Sequence, residues 1–270
     1  MLEPDERPPI ATEPISVVLP AHNAENCLDK TIGEWVACLE SRRQDYEILL
    51  VDDGSTDRTG ELADSLSQRH SRLRLLRHPA RRGFGAALGT GLEVARHPLL
   101  CYTLCGGSYR ASDLADLLKW IDKVDLVVGY RSHAGRPWLR RLGGVAYRLL
   151  LRLVFALRLK DPRCTYLLAR RSIFRRIRLQ STGPFAHAEV LAKANSLGCL
   201  MTDAPVSYRP PSAGEEQMAH GSVRDTWSEA WGVISDPDFG PAFLPEDAPW
   251  CADWVRALSP FAVDRGRRGC

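Results

Sequence analysis

Long uninterrupted apolar runs are missing from this sequence. The longest candidate, LLLRLVFALRL at 149–159, is broken by Arg152 and Arg158, whereas a membrane-spanning helix needs about 20 apolar residues. The opening MLEPDERPPIATEP is acidic and proline-rich, which is the opposite of a secretory signal peptide. We therefore expect no transmembrane helix and no signal peptide, and a cytoplasmic location that allows peripheral attachment at the inner face of a membrane.

Cysteine motifs and a strong overall charge are missing as well. The eight cysteines among 270 residues form no C-x-x-C pair, which argues against a zinc site or a disulfide framework and for reduced thiols. The net charge of +3 is too small to predict a nucleic-acid partner. Between Arg131 and Arg178, however, thirteen arginines and one lysine accompany a single acid, Asp161. Such a block is either a solvated face or a surface for phosphates or an anionic membrane.

Apolar runs and amphipathic stretches alternate along most of the chain. Strand-like segments lie at 15–20, 46–53, 73–78, 99–104, 124–130, 164–170 and 199–209, and helical segments at 24–41, 57–69, 84–96, 111–121, 138–157 and 186–197. This order predicts an α/β fold in which helices cover both faces of a mostly parallel sheet. We divide the chain into a polar arm (1–13), an α/β domain (14–210) and an irregular tail (211–270). The tail should carry short helices at best and pack through its four tryptophans.

Two strands end in polar motifs. The first ends in LPAHNAENCL and the second in LLVDDGSTDRTG. A turn followed by a helix cap explains Gly54 and Thr56 whatever the function. It does not explain two adjacent carboxylates at the carboxyl end of a central strand, where ligands of open α/β sheets bind. Such carboxylates can accept hydrogen bonds from the ring N–H of a base or from a ribose hydroxyl.

With these motifs the chain resembles the family 2 nucleotide-sugar glycosyltransferases, which have a GT-A (Rossmann-like) fold. The resemblance covers about residues 14–216 in family order. It rests on VVLPAHNAENCLDKTI, EILLVDDGSTDRT, RRGFGAALGTGLEVA, DLVVGYR, LKDPRCTYLLARR and FAHAEVLAKANSLGCLMTDAPVSYRPPSAGE. The last two are similar to the branch that uses polyprenyl-phosphate acceptors. The resemblance implies a nucleotide-binding half (14–130), an acceptor half (131–210), a UDP- or GDP-linked sugar donor and a polyprenyl phosphate or another membrane-associated acceptor.

The resemblance also implies a set of site residues. Asp52 would bind the base and ribose, Arg131 would face the diphosphate, and Asp161 would be the general base of a single inverting displacement. Asp161 can equally be a turn residue before Pro162, and we expect Glu189 to be a surface or cap-supporting residue. The nucleoside pocket would be lined by Pro20, His22, Asn23, Asp52, Asp53 and Ser55, with Arg82 and Gly83 flanking the nucleotide.

One segment aligns with the family's metal-binding loop but lacks the metal-binding side chains. CYTLCGGSYRASDL (101–114) aligns with the family pattern Y-T-D-x-D-G-Q-Y-D-P-x-D-[LI], and the two metal-binding aspartates are replaced by Leu104 and Gly106, on either side of Cys105. The family uses Mg²⁺ or Mn²⁺ there against the diphosphate. Leucine and glycine cannot coordinate a hard cation, so no metal is predicted and the usual metal mechanism is in doubt.

Two functions remain open from the sequence. In the first, arginines offset the diphosphate charge in a metal-independent glycosyltransferase; the candidates are Arg110, Arg131 and Arg163. In the second, the chain is a catalytically inactive family member that binds nucleotide or nucleotide sugar, or serves as a regulatory scaffold. His22 in place of Tyr, Ala24 in place of Glu and Thr165 in place of Gly favour the second.

The segment WLRRLGGVAYRLLLRLVFALRL (138–159) is either an interfacial membrane helix or a core-packing helix with a basic outer face.

Overall fold

Seven strands form one sheet in the part of the chain that the structure describes. The structure is a computed structural model and describes residues 12–42, 44–131, 149, 151–209, 218 and 223–235. The strands are β1 (Ile15–Ala21), β2 (Tyr46–Asp53), β3 (Leu73–His78), β4 (Leu99–Tyr102), β5 (Leu126–Arg131), β6 (Leu167–Arg170) and β7 (Met201–Val206). Their spatial order is β3-β2-β1-β4-β6-β5-β7. All neighbouring pairs are parallel except those of β6, which runs antiparallel to β4 and β5.

Helices cover both faces of this sheet. They are α1 (Leu28–Ser41), α2 (Thr59–Arg69), α3 (Phe84–Val94), α4 (Leu114–Leu118), α5 (Arg171–Phe174), α6 (Ala186–Ser196) and α7 (Val223–Ser235). Because side chains alternate along a strand, β1 sends Val17 and Leu19 to one core, shared with α1, α2 and α4, and Val18 to the other, shared with α3, α6 and α7. The predicted α/β class with a mostly parallel sheet is confirmed.

The strand order places a topological switch point beside β1. The chain goes from β1 outward to β2 and β3, and then returns to the other side of β1 as β4. The loops that follow β1 and β4 therefore diverge around a crevice at the carboxyl edge of the sheet, which is where doubly wound α/β proteins bind ligands. This crevice carries the polar motifs of β1 and β2 and the altered loop after β4.

Several predicted boundaries were wrong. The helix predicted over 111–121 is a 3₁₀ turn at Ala111–Asp113 followed by the five-residue α4. The strand predicted at 99–104 stops at Tyr102, the last residue of β4 that pairs with β1 and β6. The tail was expected to hold short helices at best, but α7 has 13 residues. Residues 151–155 are helical, and most of the predicted helix 138–157, like the arm 1–11 and most of the tail, lies outside the described residues.

Gly85, in the first turn of α3, provides a stability test of this packing. A Cβ there would lie 2.1 Å from the Ser181 carbonyl oxygen and 2.7 Å from the Ala186 Cβ, whereas a Cβ at Gly89 would meet nothing within 4 Å. We expect Gly85→Ala to lower the free energy of unfolding by about 2–3 kcal/mol. Gly89→Ala should raise it by about 0.5 kcal/mol because alanine favours helix. Urea unfolding of both variants measures this, and equal effects would contradict the packing described.

Candidate functional site

Reciprocal hydrogen bonds join the loops that follow β1 and β2. The Asn23 backbone N–H donates to Ser55 Oγ at 3.0 Å, and the Thr56 N–H donates to Asn23 Oδ1 at 2.9 Å. The Ala24 N–H donates to Thr59 Oγ1 at 2.7 Å. Asn23 adopts a φ of 48°, a left-handed conformation that asparagine tolerates better than most residues. Because each loop satisfies polar groups of the other, the carboxyl ends of β1 and β2 form one preorganised polar surface.

Asp52 lies at the centre of this surface. It is 4% exposed, its Oδ1 accepts the Ser55 backbone N–H at 3.1 Å, and its Oδ2 lies 3.6 Å from Arg77 Nε. Arg77 also forms an ion pair with Asp64 of α2 at 2.9 Å. The Asp52 carboxylate is therefore held in one orientation with acceptor capacity left over, which suits recognition of an N–H or hydroxyl donor.

Asp53 has a different environment, although it is the next residue. Its side chain is fully buried. Oδ1 accepts the Arg82 N–H at 2.9 Å and hydrogen-bonds His78 Nδ1 at 2.7 Å, and Oδ2 accepts the Gly83 N–H at 2.8 Å. Asp53 therefore binds the segment before α3 and holds the backbone of Arg82 and Gly83, while the Arg82 side chain is exposed.

His22 and Pro20 complete the β1 side. His22 is 6% exposed, and its Nδ1 donates to the Asp53 carbonyl oxygen at 2.9 Å. In the neutral imidazole this hydrogen bond leaves Nε2 as an acceptor. The Pro20 carbonyl accepts the Cys105 N–H at 2.9 Å. The residues predicted to line the nucleoside pocket thus lie at the carboxyl ends of β1 and β2 and on the loops that follow them, although Asp53 turns inward.

The altered loop after β4 is packed into the protein. Leu104 is 4% exposed and belongs to the core on the α3 side, whereas Cys105, 3% exposed, belongs to the core on the α1 side. Thr103 N–H donates to the Val18 carbonyl at 3.2 Å. Leu104 and Gly106 supply no metal ligand. Among the described residues, no group of three or more His, Cys, Asp or Glu is placed to hold a metal ion, so the residues present do not fit the family's metal.

The far end of the same loop is attached to the segment that leaves β7. The Ser207 N–H donates to Asp113 Oδ2 at 2.7 Å, and the Arg209 N–H donates to the Ser108 carbonyl at 2.8 Å. Burial raises the pKa of the Asp113 carboxyl above its ordinary value, and the hydrogen bonds from Ser207 oppose that shift. Arg110, between these anchors, is exposed. These hydrogen bonds therefore fix the loop at both ends, and Arg110 between them is exposed to solvent.

Arg131 at the end of β5 and Asp161 form an ion pair. Both Asp161 carboxylate oxygens accept from the guanidinium, Oδ1 from Nη2 at 2.7 Å and Oδ2 from Nε. The Arg131 side chain is 8% exposed and its Cζ lies 5.2 Å from the centroid of the Tyr208 ring. Burial lowers the pKa of Arg131, but the hydrogen bonds and charge of Asp161 outweigh it, so the net shift is upward. The predicted base and the predicted diphosphate ligand thus contact each other, and Arg163, two residues after Asp161, is exposed.

His187 is a residue that sequence reasoning missed. It lies in the first turn of α6, is 2% exposed, and its Nδ1 is 2.8 Å from the Tyr102 hydroxyl at the end of β4. Its Nε2 is buried and has no hydrogen-bond partner in the part of the chain that the structure describes. Burial lowers the pKa of His187 to about 4, and the nearby charges of Asp161 and Arg131 act on it in opposite directions. The signal in the sequence was weak, since a single histidine in FAHAEVL resembles any helical residue.

The depressed pKa of His187 predicts a pH dependence of stability. Above about pH 6.5 neither the folded nor the unfolded state protonates this ring, so it contributes nothing there. Below that pH the His187 ring binds a proton in the unfolded state, whereas in the folded state it is protonated only near pH 4. The free energy of unfolding of the wild type should therefore fall by roughly 2 kcal/mol more between pH 7 and pH 5 than that of His187→Gln. Parallel pH dependences in urea titrations would contradict this.

Glu189 was expected to be a surface or cap-supporting residue, and the surface alternative was wrong. Its side chain is fully buried, and its two oxygens accept the backbone N–H groups of Gln180 and Ser181, each at 2.8 Å. Lys193, also buried, lies 2.7 Å from Glu189 Oε1 and donates to the Arg178 carbonyl. The sequence could not reveal this, because an acid and a lysine four residues apart on a helix usually form an exposed pair.

The comparisons with known proteins agree with this fold. The sequence model of glycosyl transferase family 2 matches residues 16–178, which is more than half of the chain. The class of protein that the sheet order and the β1–β2 surface define is therefore a GT-A-type nucleotide-sugar-transferase fold. The chain belongs to glycosyl transferase family 2.

Curated relatives are similar over much of the chain. The glycosyltransferase AglD of Haloferax volcanii is 30% identical over 227 residues, which are 78% of this chain and 36% of the relative. A dolichyl-phosphate beta-glucosyltransferase of Trichomonas vaginalis is 30% identical over 175 residues, 58% of this chain and 52% of the relative. The chain thus spans about a third to a half of the length of these relatives. An uncharacterized glycosyltransferase of Mycobacterium tuberculosis is 30% identical over 233 residues, 84% of this chain and 100% of the relative.

Solved structures share the fold. Glucosyl-3-phosphoglycerate synthase from Mycobacterium tuberculosis, in complex with Mn²⁺, uridine diphosphate and phosphoglyceric acid, has a TM-score of 0.63 at 20% identity. The similarity covers 84% of this chain and 81% of that chain. No helix within the described residues is long and apolar enough to cross a membrane.

Proposed function

We propose that the surface formed by the loops after β1 and β2 binds a nucleotide sugar. The observation that carries this proposal is the Asp52 carboxylate, nearly buried yet oriented by Ser55 and Arg77, beside His22 and Asn23 at the carboxyl edge of the sheet. Asp52 would accept from an N–H of the base and from ribose hydroxyls. We take uridine as the base, because a structural neighbour with the same fold holds uridine diphosphate, and guanosine as the competing base.

We infer that transfer, where it occurs, does not use a metal bound by the loop after β4. Arg131, Arg110 and Arg163 would offset the charge of the departing diphosphate, since a guanidinium binds phosphate oxygens in a bidentate manner. In a single displacement an acceptor oxygen forms a bond to the anomeric carbon. The bond to the diphosphate breaks, and the nucleoside diphosphate leaves with the electron pair. The anomeric configuration inverts.

We propose a polyprenyl phosphate as the acceptor. Its support is the dolichyl-phosphate beta-glucosyltransferase among the relatives and the positive window between Arg131 and Arg178. A phosphate monoester is largely dianionic near neutral pH, because its second pKa is about 6. Its oxygen then needs no general base. In this case Asp161 holds Arg131 in a bidentate pair towards the phosphates, and it does not take a proton.

We also propose that the chain attaches to the membrane surface that carries such an acceptor. Leu149 and Leu153, four residues apart, are 54% and 74% exposed, and Arg152 is exposed between them. Exposed leucines with flanking arginine are typical of a helix that lies in the lipid interface. Sedimentation with anionic and with neutral liposomes tests this, and absence of binding to anionic vesicles at low salt would exclude it.

A non-catalytic role is the second candidate, because two observations favour it. Leu104, at the position of one of the family's metal ligands, and its neighbour Cys105 pack into the two cores. The charges of Arg131 and Asp161 neutralise each other in an ion pair. In this role the β1–β2 surface binds nucleotide or nucleotide sugar without turnover, for regulation or as a scaffold.

Calorimetric titration and a turnover assay on the full chain distinguish the candidates. UDP-glucose and a GDP-linked hexose are titrated with Mn²⁺ or with EDTA, and transfer to a short polyprenyl phosphate is followed with labelled donor. Asp52→Asn should weaken binding about tenfold, since one charge-assisted acceptor is lost, while Asp29→Asn, 67% exposed on α1 and paired with Arg69, should not. Turnover in EDTA supports the transferase, and binding without turnover supports the second candidate. Absence of binding to both donors overturns the proposal.

A further inference from the structure

The C-terminal helix α7 contacts a loop that lies beyond the residues matched by the family model. Residues 16–178 match the family, whereas α7 begins at Val223. Its Ala230 and Val233 are buried in the core on the α3 side, at 4% and 3% exposure. From the same helix, Glu229 Oε1 accepts the backbone N–H of Gly183 at 2.6 Å. The other oxygen, Oε2, is buried without a hydrogen-bond partner among the described residues.

Two carboxylates thus hold the segment 180–183 at its two ends. Glu189 of α6 accepts the N–H groups of Gln180 and Ser181, and Glu229 of α7 accepts that of Gly183. A Cβ on Gly183 would lie 2.8 Å from Glu229 Oε1, so glycine allows this close approach. The residue between these anchors is Thr182, and its backbone carbonyl has little freedom to move.

The Thr182 carbonyl caps α3. It accepts the Gly85 N–H at 2.7 Å and the Ala86 N–H at 3.2 Å, which are in the first turn of that helix. The first amides of a helix have no acceptor within the helix, and the two preceding amides, of Arg82 and Gly83, are bound by Asp53. A Cβ on Gly83 would lie 2.5 Å from the Thr182 oxygen. The segment 180–183 therefore determines where the Arg82–Gly83 backbone lies.

The hydrogen bonds that run from Glu229 through Thr182 to Gly83 continue to the proposed nucleotide-binding surface. Asp53 holds Arg82 and Gly83 through its side chain and accepts from His22 through its backbone carbonyl. We propose that Glu229 is a positioning residue for nucleotide binding: it fixes Gly183, so that Thr182 holds the start of α3 and, through Asp53, the β1–β2 surface. This inference rests on the proposed function, and it assigns to the C-terminal helix a part in donor affinity.

Amide hydrogen exchange of the full-length protein tests the link without any ligand. We expect Glu229→Ala to lower the protection of the Gly85 and Ala86 amides about tenfold, because the Thr182 carbonyl loses its anchor. Protection in β1 and β2 should stay unchanged. Glu229→Gln, which keeps an oxygen acceptor, should restore most of the protection. Ser235→Ala on the same helix removes only local hydrogen bonds to the Trp231 and Gly232 carbonyls and should have no effect at these amides.

Titration with uridine diphosphate tests the consequence. The dissociation constant should rise about tenfold in Glu229→Ala, less in Glu229→Gln, and not at all in Ser235→Ala. Unchanged Gly85 and Ala86 protection overturns the inference, and so does a uniform loss of protection across the sheet, which would indicate a structural role alone. Normal uridine diphosphate affinity in Glu229→Ala also overturns it while leaving the proposed function intact. If the wild type binds no nucleotide, the proposed function fails, and the inference about nucleotide binding fails with it even where the amides respond.

Discussion

Replacing Arg131 with alanine should reduce sugar transfer by about 10³-fold, because it removes the guanidinium proposed to offset charge on the departing diphosphate. The same change leaves Asp161, 21% exposed, without the partner that engages both of its oxygens. We therefore also expect the free energy of unfolding to fall by about 2 kcal/mol. Turnover with labelled donor and urea unfolding measure the two effects separately.

Two further variants separate charge from geometry at Arg131. Arg131→Lys keeps the positive charge but loses the planar bidentate fork, so transfer should fall by about 10–100-fold. Arg158→Ala removes an exposed arginine from the same basic window and should leave transfer unchanged. Full activity in Arg131→Ala would refute the proposed role, and equal losses in Arg131→Ala and Arg158→Ala would mean that only the overall charge matters.

Replacing Asp53 with alanine should lower the free energy of unfolding by about 4 kcal/mol. This carboxylate is fully buried and hydrogen-bonds two backbone amides, of Arg82 and Gly83, and the His78 ring. Its removal leaves one buried and two partly buried donors without this acceptor. The segment before α3 should then loosen, so nucleotide affinity should be lost together with stability.

Surface and isosteric controls define the Asp53 effect. Asp53→Asn keeps one acceptor oxygen but turns a donor towards the amides, so about 2–3 kcal/mol should be lost. Asp29→Ala removes a carboxylate that is 67% exposed and paired with Arg69 at 3.1 Å, and should change stability by less than about 0.5 kcal/mol. Urea unfolding at pH 7 is the measurement. A loss below about 1 kcal/mol in Asp53→Ala would contradict the assigned network.

The order of elements and the edge of the sheet that carries the site could be predicted from local patterns. The strands β1 and β2 are continuous apolar runs that end abruptly in polar residues, and the alternation with helices indicates a parallel sheet. Short elements were less predictable: α4 begins only at Leu114, after a loop that the Asp113 side chain and the Ser108 carbonyl tie to the β7 exit. A contact between residues almost a hundred positions apart leaves no local pattern.

The candidate site shows the same division. The residue pattern alone predicted that two carboxylates end β2 and that Leu104 and Gly106 stand where the family has metal ligands. The different environments of Asp52 and Asp53 became visible only in the tertiary structure. Adjacent strand residues point to opposite faces, so Asp52 meets Arg77 at the open surface and Asp53 is enclosed before α3.

The other features of the candidate site depend on contacts between residues that are far apart in the sequence. The Arg131–Asp161 pair, the His187–Tyr102 hydrogen bond and the Glu229–Gly183 hydrogen bond join residues that are 30, 85 and 46 positions apart. Each arises because packing brings separate elements together at one edge of the sheet. The residue types fix which chemistry is available, such as guanidinium against phosphate and no carboxylate in the loop after β4. The fold fixes which charges and hydrogen-bonding atoms neutralise one another and which remain directed at a ligand.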